Sequence, residues 1–502
     1  MRGRGPVARG ALALVSGFAL AACATVPDRA DHRPNVIVFL VDDLGWQDVS
    51  QPFHRVRTAW NDRYHTPNLE RLCAEGMRFD NAYAHCVCSP TRVSLLTGSS
   101  PARHRVTHWT LRQDTPTDPE REGLHRTDWN VNGLDRAGHT PHAFATPTLP
   151  ERLDALGYRT ILVGKAHLGA IGTPGADPRN LGFDVNIAGH AAGAPSSYLA
   201  KLGFLRNPKD TIWQVPGLER WHGQDLFLTD VLTTEALTAA DAAVAAGEPF
   251  FLYLAHYAVH APYDADERFA DDYRTAGLPE VEARYAALVA GVDDSLGRVL
   301  AWLEARGLAE DTIVVFASDN GGLSAHLRAG PPHIHNAPLR SGKGSAYEGG
   351  VRVPLAVRWP GRIAAGAIAH LPVLVDDLFP TVCDLVGADP RCPDGESYAP
   401  TLCGRAQPGH PLFWHSPHFW GATGPGIEPY SAVRDGDLKL IWFYGGERAE
   451  LYDVVADVGE RHDLAAERPA DAARLRTLLR ARLVGVGAQR PTRDDGSFCA
   501  WP

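Results

Sequence analysis

Acidic side chains follow two of the four short apolar runs in the sequence. Asp42 and Asp43 come directly after the first run, and Asp319 and Asn320 follow the fourth. Carboxylate and amide oxygens are the ligands that hard divalent cations prefer, and converging carboxylates repel one another unless a cation neutralises them. These four residues therefore predict a metal site, with Ca²⁺ as the first choice of ion and Mg²⁺ as the second.

Basic and imidazole side chains follow the other two runs. Lys165 and His167 come after the second run, and His256 and His260 come after the third. Lysine is scarce in this chain, with five among 49 basic residues, so the position of each one is informative. Lysines can stabilise a developing negative charge, and histidines can exchange protons near neutral pH.

The apolar runs themselves predict the scaffold. They cover residues 35–41, 160–163, 250–254 and 312–316, and each is short and continuously apolar, as in strands buried on both faces of a parallel sheet. Helical periodicity lies between them and is clearest over residues 279–306. In such α/β sheets ligands bind beyond the carboxyl ends of the strands, so the polar residues after each run are expected to meet.

The fold class predicted from this pattern is α/β. A large central, mostly parallel sheet flanked by helices is expected over residues 34–400. The pattern then changes to β-like segments at 430–433 and 438–444, followed by a helix over 470–484. Residues 401–502 are therefore predicted to form a smaller α+β subdomain with a small antiparallel sheet.

Composition excludes several classes of protein. The 502 residues are 44% hydrophobic and 22% charged, which is typical of a soluble globular protein and not of a disordered or polytopic membrane protein. The formal net charge is -10, and no run of basic residues stands out. Nucleic acid is therefore not expected as a partner.

The N-terminus reads as an export signal. Residues 1–23 place three arginines ahead of an apolar stretch that is too short to span a membrane. The stretch ends in Leu-Ala-Ala-Cys at Cys23, which resembles the lipobox of bacterial lipoproteins. This resemblance implies a lipid on Cys23, a polar tether over residues 24–33, and a membrane-anchored protein in the periplasm or at the outer membrane.

Residues 88–98 carry the most specific motif. They read CSPTRVSLLTG, and the cysteine opens a segment with helical character. The pattern C-x-P-x-R-x-x-x-L-T-G resembles the signature of the sulfatase family in the alkaline phosphatase superfamily. The resemblance implies an alkaline phosphatase-like fold, oxidation of Cys88 to formylglycine by a dedicated maturation enzyme, and a place for residue 88 beside the metal.

Other segments are similar to further motifs of that family. Residues 164–169 read GKAHLG, and residues 339–344 read LRSGKG, so that two of the five lysines stand in motif positions. Ala166 departs from the large aromatic residue that is usual there. The resemblance also implies how charge and protons are handled at the sulfuryl group: Arg92 steadies the formylglycine hydrate, Lys165 and Lys343 balance negative charge, His260 protonates the leaving group, and His167 accepts a proton during sulfate release.

The substrate class is read from polar and aromatic residues outside these motifs. Histidine and tryptophan side chains can bind sugar hydroxyls and stack on pyranose rings, although a packed core of satisfied histidines is the alternative interpretation. The candidates for substrate binding are His335, Asn336, His415, His418 and Trp109.

The predicted function is hydrolysis of a sulfuric ester, with release of inorganic sulfate from a sulfated carbohydrate or an aryl sulfate. Two alternatives stay open. One is a phosphodiesterase or phosphonate monoester hydrolase of the same superfamily, and the other is a lipid-anchored glycan-binding protein in which Cys88 is never converted.

Overall fold

The first strand illustrates how continuous apolar runs build the central sheet. In the computed structural model, which describes Met1 and residues 33–502, the strand Asn35–Val41 is buried along its whole length. Its side chains alternate between two buried clusters: Ile37, Phe39 and Val41 pack on one face, and Val36, Val38 and Leu40 pack on the other. A strand covered on both faces has no polar side, which is why the sequence shows no alternation there.

Residues 33–502 form one compact unit. Its strands, in chain order, are β1 (Asn35–Val41), β2 (Met77–Phe79), β3 (Ala82–Tyr83), β4 (Arg159–Gly164), β5 (Val185–Ile187), β6 (Phe250–Ala255), β7 (Thr312–Ser318), β8 (Leu355–Arg358), β9 (Ala367–Ala369), β10 (Val373–Leu374), β11 (Leu412–Ser416), β12 (Tyr430–Asp435), β13 (Leu438–Phe443) and β14 (Arg448–Asp453).

Its α-helices are α1 (Pro67–Glu75), α2 (Cys88–Thr97), α3 (Pro101–His104), α4 (Leu149–Asp154), α5 (Leu228–Ala246), α6 (Glu267–Thr275), α7 (Glu280–Ala305), α8 (Glu348–Val351), α9 (Leu378–Val386), α10 (Ala399–Leu402) and α11 (Pro469–Gly485). Residues of α5 and α7 belong to the cluster on one face of the central sheet, and residues of α2, α4 and α9 belong to the cluster on the other.

The central sheet has eight strands in the order β5-β4-β6-β1-β7-β8-β2-β9. The first five strands of this order run parallel, and β8 is antiparallel to both of its neighbours. A separate antiparallel sheet contains β11, β12, β13 and β14 in sequence order. The predicted fold class is thereby confirmed: a large, mostly parallel sheet flanked by helices, followed by a C-terminal antiparallel sheet.

The differences from the sequence-based expectation lie at the ends of elements and in eight strands that the sequence did not indicate. β6 and β7 extend one and two residues beyond the predicted apolar runs, while β2, β3, β5, β8, β9, β10, β11 and β14 were not predicted. β14 is only partly buried, so its sequence lacks the apolar run that marks a central strand. The boundary predicted at residue 400 between the two parts remains a prediction.

The N-terminal predictions fall outside this description. The signal segment 1–23 with Cys23, and all of the tether except Arg33, belong to residues that the structure does not describe, Met1 excepted. Within the described part of the chain, no helix combines the length and the apolar character needed to cross a membrane.

Candidate active site

The site forms at the carboxyl edge of the central sheet. Strand register brings four strand ends together, because Leu40 pairs with Ala255, Val41 pairs with Ser318, and Gly164 also pairs with Ala255. The residues that follow β1, β4, β6 and β7 therefore start from neighbouring points along one edge. This is where open α/β sheets place their ligands.

The four predicted metal ligands are gathered and fully buried there. The Asp43 amide donates to Asp319 Oδ1 over 3.2 Å, and Asn320 Nδ2 donates to Asp43 Oδ1 over 2.8 Å. Asp43 has a left-handed φ of 60°, which turns the chain sharply at the end of β1. In a continued strand Asp42 and Asp43 would point to opposite faces, and the turn lets both reach the same centre.

Unsatisfied oxygens in this cluster fit a bound cation. Asp42 Oδ1 and Asn320 Oδ1 are buried and accept no hydrogen bond from the described residues. Ligand atoms of Asp42, Asp319 and Cys88 lie within 4.8 Å of one another. Burial and the neighbouring Asp319 raise the pKa of Asp42 well above its usual value, as expected for carboxylates that share a site. An oxygen-rich set of this kind suits a hard divalent ion.

Each carboxylate of the cluster also has its own cationic partner. The three pairs are Lys165 Nζ with Asp42 Oδ2 at 2.6 Å, Lys343 Nζ with Asp43 Oδ1 at 2.5 Å, and Arg92 Nη2 with Asp319 Oδ2 at 2.8 Å. All six side chains are buried. The positive charges are thus held in fixed positions around the centre, as preorganised stabilisation of an anionic transition state requires.

Cys88 is the first residue of α2 and lies inside this cluster. Its Sγ is 3.9 Å from Lys343 Nζ, and Val87, the residue before the helix, is extended. Burial raises the pKa of the Cys88 thiol, although Lys165 and Lys343 oppose this effect. The unmodified side chain is therefore a neutral thiol at pH 7, which is a poor nucleophile.

His167 is held as a neutral base. Its Nε2 lies 2.9 Å from the Thr110 carbonyl oxygen, which can only accept, so Nε2 carries the proton and Nδ1 has a free lone pair. Nδ1 is buried without a partner among the described residues. Burial, with help from Lys165, holds the pKa of His167 well below its usual value. Gly193 makes room for the ring, because a Cβ there would lie 2.3 Å from Nδ1.

His260 presents its other ring nitrogen to the centre. Nδ1 lies 2.7 Å from the Ala261 carbonyl oxygen and therefore donates, while Nε2 is 3.7 Å from Asp43 Oδ2. Burial lowers the pKa of His260 to about 4, and Asp43 opposes this shift. His256, in contrast, packs against Phe39 and hydrogen-bonds Ser295, so it belongs to the core and not to the site.

A pocket of about 450 Å³ opens above these groups. Three half-buried tryptophans line it: Trp109, which the sequence predicted, Trp420, which stands in the same histidine and tryptophan stretch as the candidate His418, and Trp213, which the sequence did not indicate. Lys343 Nζ is 5.8 Å from the Trp420 ring centre. Gly344 has a φ of +86°, and a Cβ there would lie 2.4 Å from Trp420, so the lysine and the indole can be adjacent only with glycine between them.

Two of the proposed substrate-binding residues are held by the loop that precedes Lys343. His335 bonds Ser324 Oγ and the Ala329 carbonyl oxygen, and Asn336 Nδ2 donates to the Gly322 and Ser341 carbonyl oxygens. Both side chains are buried; His335 uses both ring nitrogens and Asn336 uses its amide NH2 group in bonds to the loop, while Asn336 Oδ1 has no hydrogen-bond partner among the described residues. The geometry therefore does not support a direct contact of His335 or Asn336 with substrate.

The two histidines of the C-terminal part are also buried. His418 lies between Thr107 Oγ1 at 2.6 Å and Asp118 Oδ2 at 3.0 Å, and His415 Nδ1 is 2.8 Å from Ser431 Oγ. Neither residue, nor His335 or Asn336, is part of the lining of the pocket among the described residues. Both ring nitrogens of His418 are satisfied, as the alternative interpretation of a packed histidine core requires, whereas His415 Nε2 has no hydrogen-bond partner among the described residues.

Comparison with known proteins decides the family. The family model described as Sulfatase matches residues 34–388, and the model described as N-sulphoglucosamine sulphohydrolase, C-terminal, matches residues 342–489. The chain belongs to the sulfatase family. Family membership makes this sulfatase an enzyme, a hydrolase of sulfuric esters, and confirms the resemblance first read from residues 88–98.

The sulfatase resembles its relatives along most of its length. Mouse N-acetylgalactosamine-6-sulfatase is 32% identical, with 86% of this chain and 84% of the relative covered. Bovine arylsulfatase A is 31% identical, with 90% and 85% covered. The crystal structure of Ps i-CgsB in complex with k-i-k-neocarrahexaose superposes with a TM-score of 0.69 at 25% identity, over 93% of this chain and 95% of the other.

Proposed function

We propose that this sulfatase releases inorganic sulfate from a sulfated saccharide, with a formylglycine formed from Cys88 and a divalent cation, Ca²⁺ before Mg²⁺. The observation that carries the proposal is the position of Cys88. Its Sγ lies at the start of a helix, near Lys343 and within reach of two carboxylates whose cluster has unsatisfied oxygens. A maturation enzyme that oxidises Cys88 to the aldehyde is therefore a required partner.

Asp42, Asp43, Asp319, Asn320 and residue 88 would hold the cation. When bound, it polarises the sulfate oxygens and lowers the pKa of the attacking hydroxyl group. The choice of Ca²⁺ rests on the donor set, which contains carboxylate and amide oxygens and no histidine.

The chain's own residues then organise the attack. One hydroxyl group of hydrated residue 88 attacks the sulfur atom, and Lys165 and Lys343 offset the charge on the sulfuryl oxygens. The departing oxygen takes a proton from His260, whose Nε2 faces the centre. Burial holds the pKa of His260 at about 4, and the negative charge of a bound sulfate ester would raise it.

Sulfate release uses the second hydroxyl group of residue 88. His167 Nδ1 accepts the proton of that hydroxyl, the bond between carbon and the sulfate oxygen breaks, and sulfate leaves with the electron pair. The aldehyde forms again and is rehydrated by water. A serine at position 88 has one hydroxyl group only, so its sulfate ester could not collapse in this way.

The choice of a saccharide is supported by the pocket and by the relatives. Trp109, Trp213 and Trp420 offer flat apolar faces beside polar groups, a combination that fits a sugar ring. The relatives include a protein named N-acetylgalactosamine-6-sulfatase and a structure solved with k-i-k-neocarrahexaose.

The proposal is tested with a panel of esters that share one leaving group. Purified enzyme is assayed on aryl sulfate, aryl phosphate and aryl phosphonate, and in parallel on defined sulfated saccharides. We expect the highest kcat/KM within the matched aryl panel on the sulfate and release of sulfate from at least one saccharide. A higher kcat/KM on the phosphonate would favour the phosphonate hydrolase, and saccharide binding without turnover of any ester would favour the glycan-binding protein.

Export and membrane anchoring form a second part of the proposal. We propose that Cys23 receives a lipid and that the mature protein faces the periplasm or lies at the outer membrane, since Ala24 follows Cys23. The test compares wild type with Cys23→Ala by cell fractionation and by sequencing of the mature N-terminus. Equal membrane association of both proteins would contradict the anchor.

A further inference from the structure

A second cavity continues from the catalytic pocket. It has a volume of about 790 Å³, and it shares Ala194, Trp213, Ala261 and Leu327 with the catalytic pocket. We infer that this second cavity binds the sugar residue next to the sulfated one, and that the bound residue carries a carboxylate group. The inference rests on the proposed function.

The walls of the second cavity suit a sugar ring. Pro195, Pro262, Tyr263 and Val281 supply apolar and aromatic surface, and the indole of Trp213 stands at the boundary with the catalytic pocket. Tyr263 is packed edge-on against the buried Tyr285 at 5.4 Å, which fixes the position of its ring. Rigid aromatic surface at a boundary favours a ligand that extends across it.

The charged side chains of the second cavity favour an anion. Arg206 and Arg284 line it, and so does Glu280, which pairs with Arg284. Arg206 is anchored by Asp264, which is itself buried and also accepts from the Tyr198 amide, yet the arginine side chain is 54% exposed. A guanidinium has five N–H donors, and anchoring through one edge leaves others for a ligand.

Arg284 is arranged in the same way. Its Nε donates to Glu280 Oε1 over 2.6 Å, and the side chain is 44% exposed. Glu280 is also bound by Arg274, so the carboxylate has more than one cationic neighbour. Carboxylates and sulfates are bound well by the planar fork of arginine, which makes an acidic sugar a better occupant than a neutral one.

Space supports a ligand of at least two residues. The catalytic pocket, about 450 Å³, is towards the lower end of the range for small-molecule sites and has to hold the sulfate group with its sugar. A neighbouring residue linked to that sugar can enter the second cavity past Trp213, because the two cavities share that part of their walls.

The test uses two variants that change only the second cavity. Val281→Trp, at the start of α7, fills the cavity, and Arg284→Gln removes one positive charge. The control is Trp359→Ala, which alters a half-buried tryptophan outside both cavities whose Nε1 bonds the Glu310 carbonyl oxygen. Substrates are p-nitrophenyl sulfate, the best monosaccharide sulfate from the panel above, and its disaccharides extended on either side by a uronate or by a neutral hexose.

We expect wild type to prefer the uronate disaccharide over the monosaccharide by about ten-fold or more in kcat/KM, the effect of one or two charge-assisted hydrogen bonds. Val281→Trp should abolish the preference for every disaccharide. Arg284→Gln should reduce the preference for the uronate over the neutral hexose, and Trp359→Ala should leave both ratios as in wild type. Each ratio is taken relative to p-nitrophenyl sulfate, so loss of folded enzyme cancels.

Binding without turnover gives an independent reading. Calorimetry with Cys88→Ala protein should show tighter binding of the uronate disaccharide than of the monosaccharide, and Cys88→Ala/Val281→Trp should lose that difference. Equal affinities in Cys88→Ala, or an unaltered preference in Val281→Trp, would overturn the inference while leaving the proposed function standing. Failure of wild type to hydrolyse any sulfate ester would instead overturn the proposed function.

Discussion

Removing the charge of Lys439 tests how the C-terminal sheet is joined to the loop of the active site. Lys439 lies in β13, and its Nζ is 2.9 Å from Glu348 Oε1 and 3.0 Å from Glu460 Oε1. All three side chains are fully buried. Glu348 begins α8, five residues after Lys343, so Lys439 is linked through Glu348 to the segment that carries the proposed catalytic lysine.

The expected loss of stability in Lys439→Met follows from the buried carboxylates that the substitution leaves without a lysine. Glu348 keeps Arg352 at 3.3 Å, but the carboxylate of Glu460 loses its cation while it stays buried. Removing one partner of a buried ion pair typically lowers the free energy of unfolding by about 3–5 kcal/mol. Activity should fall with stability, because the loop that carries Lys343 is then less firmly held.

The loss of unfolding free energy in Lys439→Met should depend on pH. Burial and the neighbouring Glu348 raise the pKa of Glu460 to about 7 even with Lys439 present, and removal of the lysine raises that pKa further. The folded variant therefore keeps a proton on Glu460 that the unfolded chain has released above about pH 4.5. Wild-type Glu460 also holds this proton up to about pH 7, so both proteins lose stability in parallel between about pH 4.5 and pH 7. Above about pH 7 wild-type Glu460 is ionised, whereas the folded variant still binds the extra proton and continues to lose stability, so the variant's loss relative to wild type is smaller at pH 5 than at pH 8.

The assay is urea unfolding of wild type and variants at pH 5 and pH 8. Lys201→Met, at an exposed lysine, is the matched control and should stay within about 0.5 kcal/mol of wild type. Lys439→Met/Glu460→Gln should regain part of the loss at pH 8, since the amide oxygen can still accept from the Glu348 amide. A loss below about 1 kcal/mol, or an equal loss at both pH values, would refute the reasoning.

Three further predictions concern a histidine, a glycine and the cation. Burial lowers the pKa of His410, but the ion pair with Asp377 outweighs it and raises the pKa to about 8. His410→Gln should therefore lower the free energy of unfolding by about 2 kcal/mol below pH 6.5, and by progressively less as pH rises through 8. Unfolding at pH 6 and pH 9 measures this difference. Gly344→Ala should displace Trp420 and raise KM for a saccharide sulfate several-fold, measured by steady-state kinetics. Dialysis against a chelator should abolish hydrolysis, with Ca²⁺ restoring it better than Mg²⁺, as followed by metal analysis and activity.

Each of these outcomes can fail separately. An effect of His410→Gln that is the same at both pH values would show that its ion pair with Asp377 does not stabilise the fold. An unchanged KM in Gly344→Ala would show that Trp420 is not in contact with substrate. Full activity in metal-free enzyme would contradict the assignment of Asp42 and its neighbours as ligands.

The sequence predicts the central sheet and the residues at its carboxyl edge better than it predicts the walls of the pocket. Four of the five parallel strands of the core, all except β5, are recognisable because burial on both faces requires apolar runs, and the ends of parallel strands meet at one edge of the sheet. That is why Asp42, Lys165 and Asp319 could be expected to meet. The proposed proton-transfer residues, His167 and His260, were expected from the resemblance to the family motifs.

The rim of the pocket follows no such rule. Trp213 ends a single 3₁₀ turn, Thr211–Trp213, whose place depends on tertiary packing, so no local pattern marks it as part of the pocket. His418 stands in an aromatic stretch with the composition of a sugar-binding site, yet both of its ring nitrogens are hydrogen-bonded within the protein, to Thr107 and to Asp118. Composition reports which groups are present, and only the fold determines whether their polar atoms remain free.

The most direct test of the account is the mass of the peptide that contains Cys86 and Cys88 from fully active enzyme. The account predicts that residue 88 is an aldehyde, lighter than cysteine by the exchange of sulfur for oxygen and the loss of two hydrogens, while Cys86 keeps its sulfur. Activity should rise in proportion to the converted fraction, and Cys88→Ala should have none. An intact thiol at Cys88 in a fully active sample would contradict the mechanism.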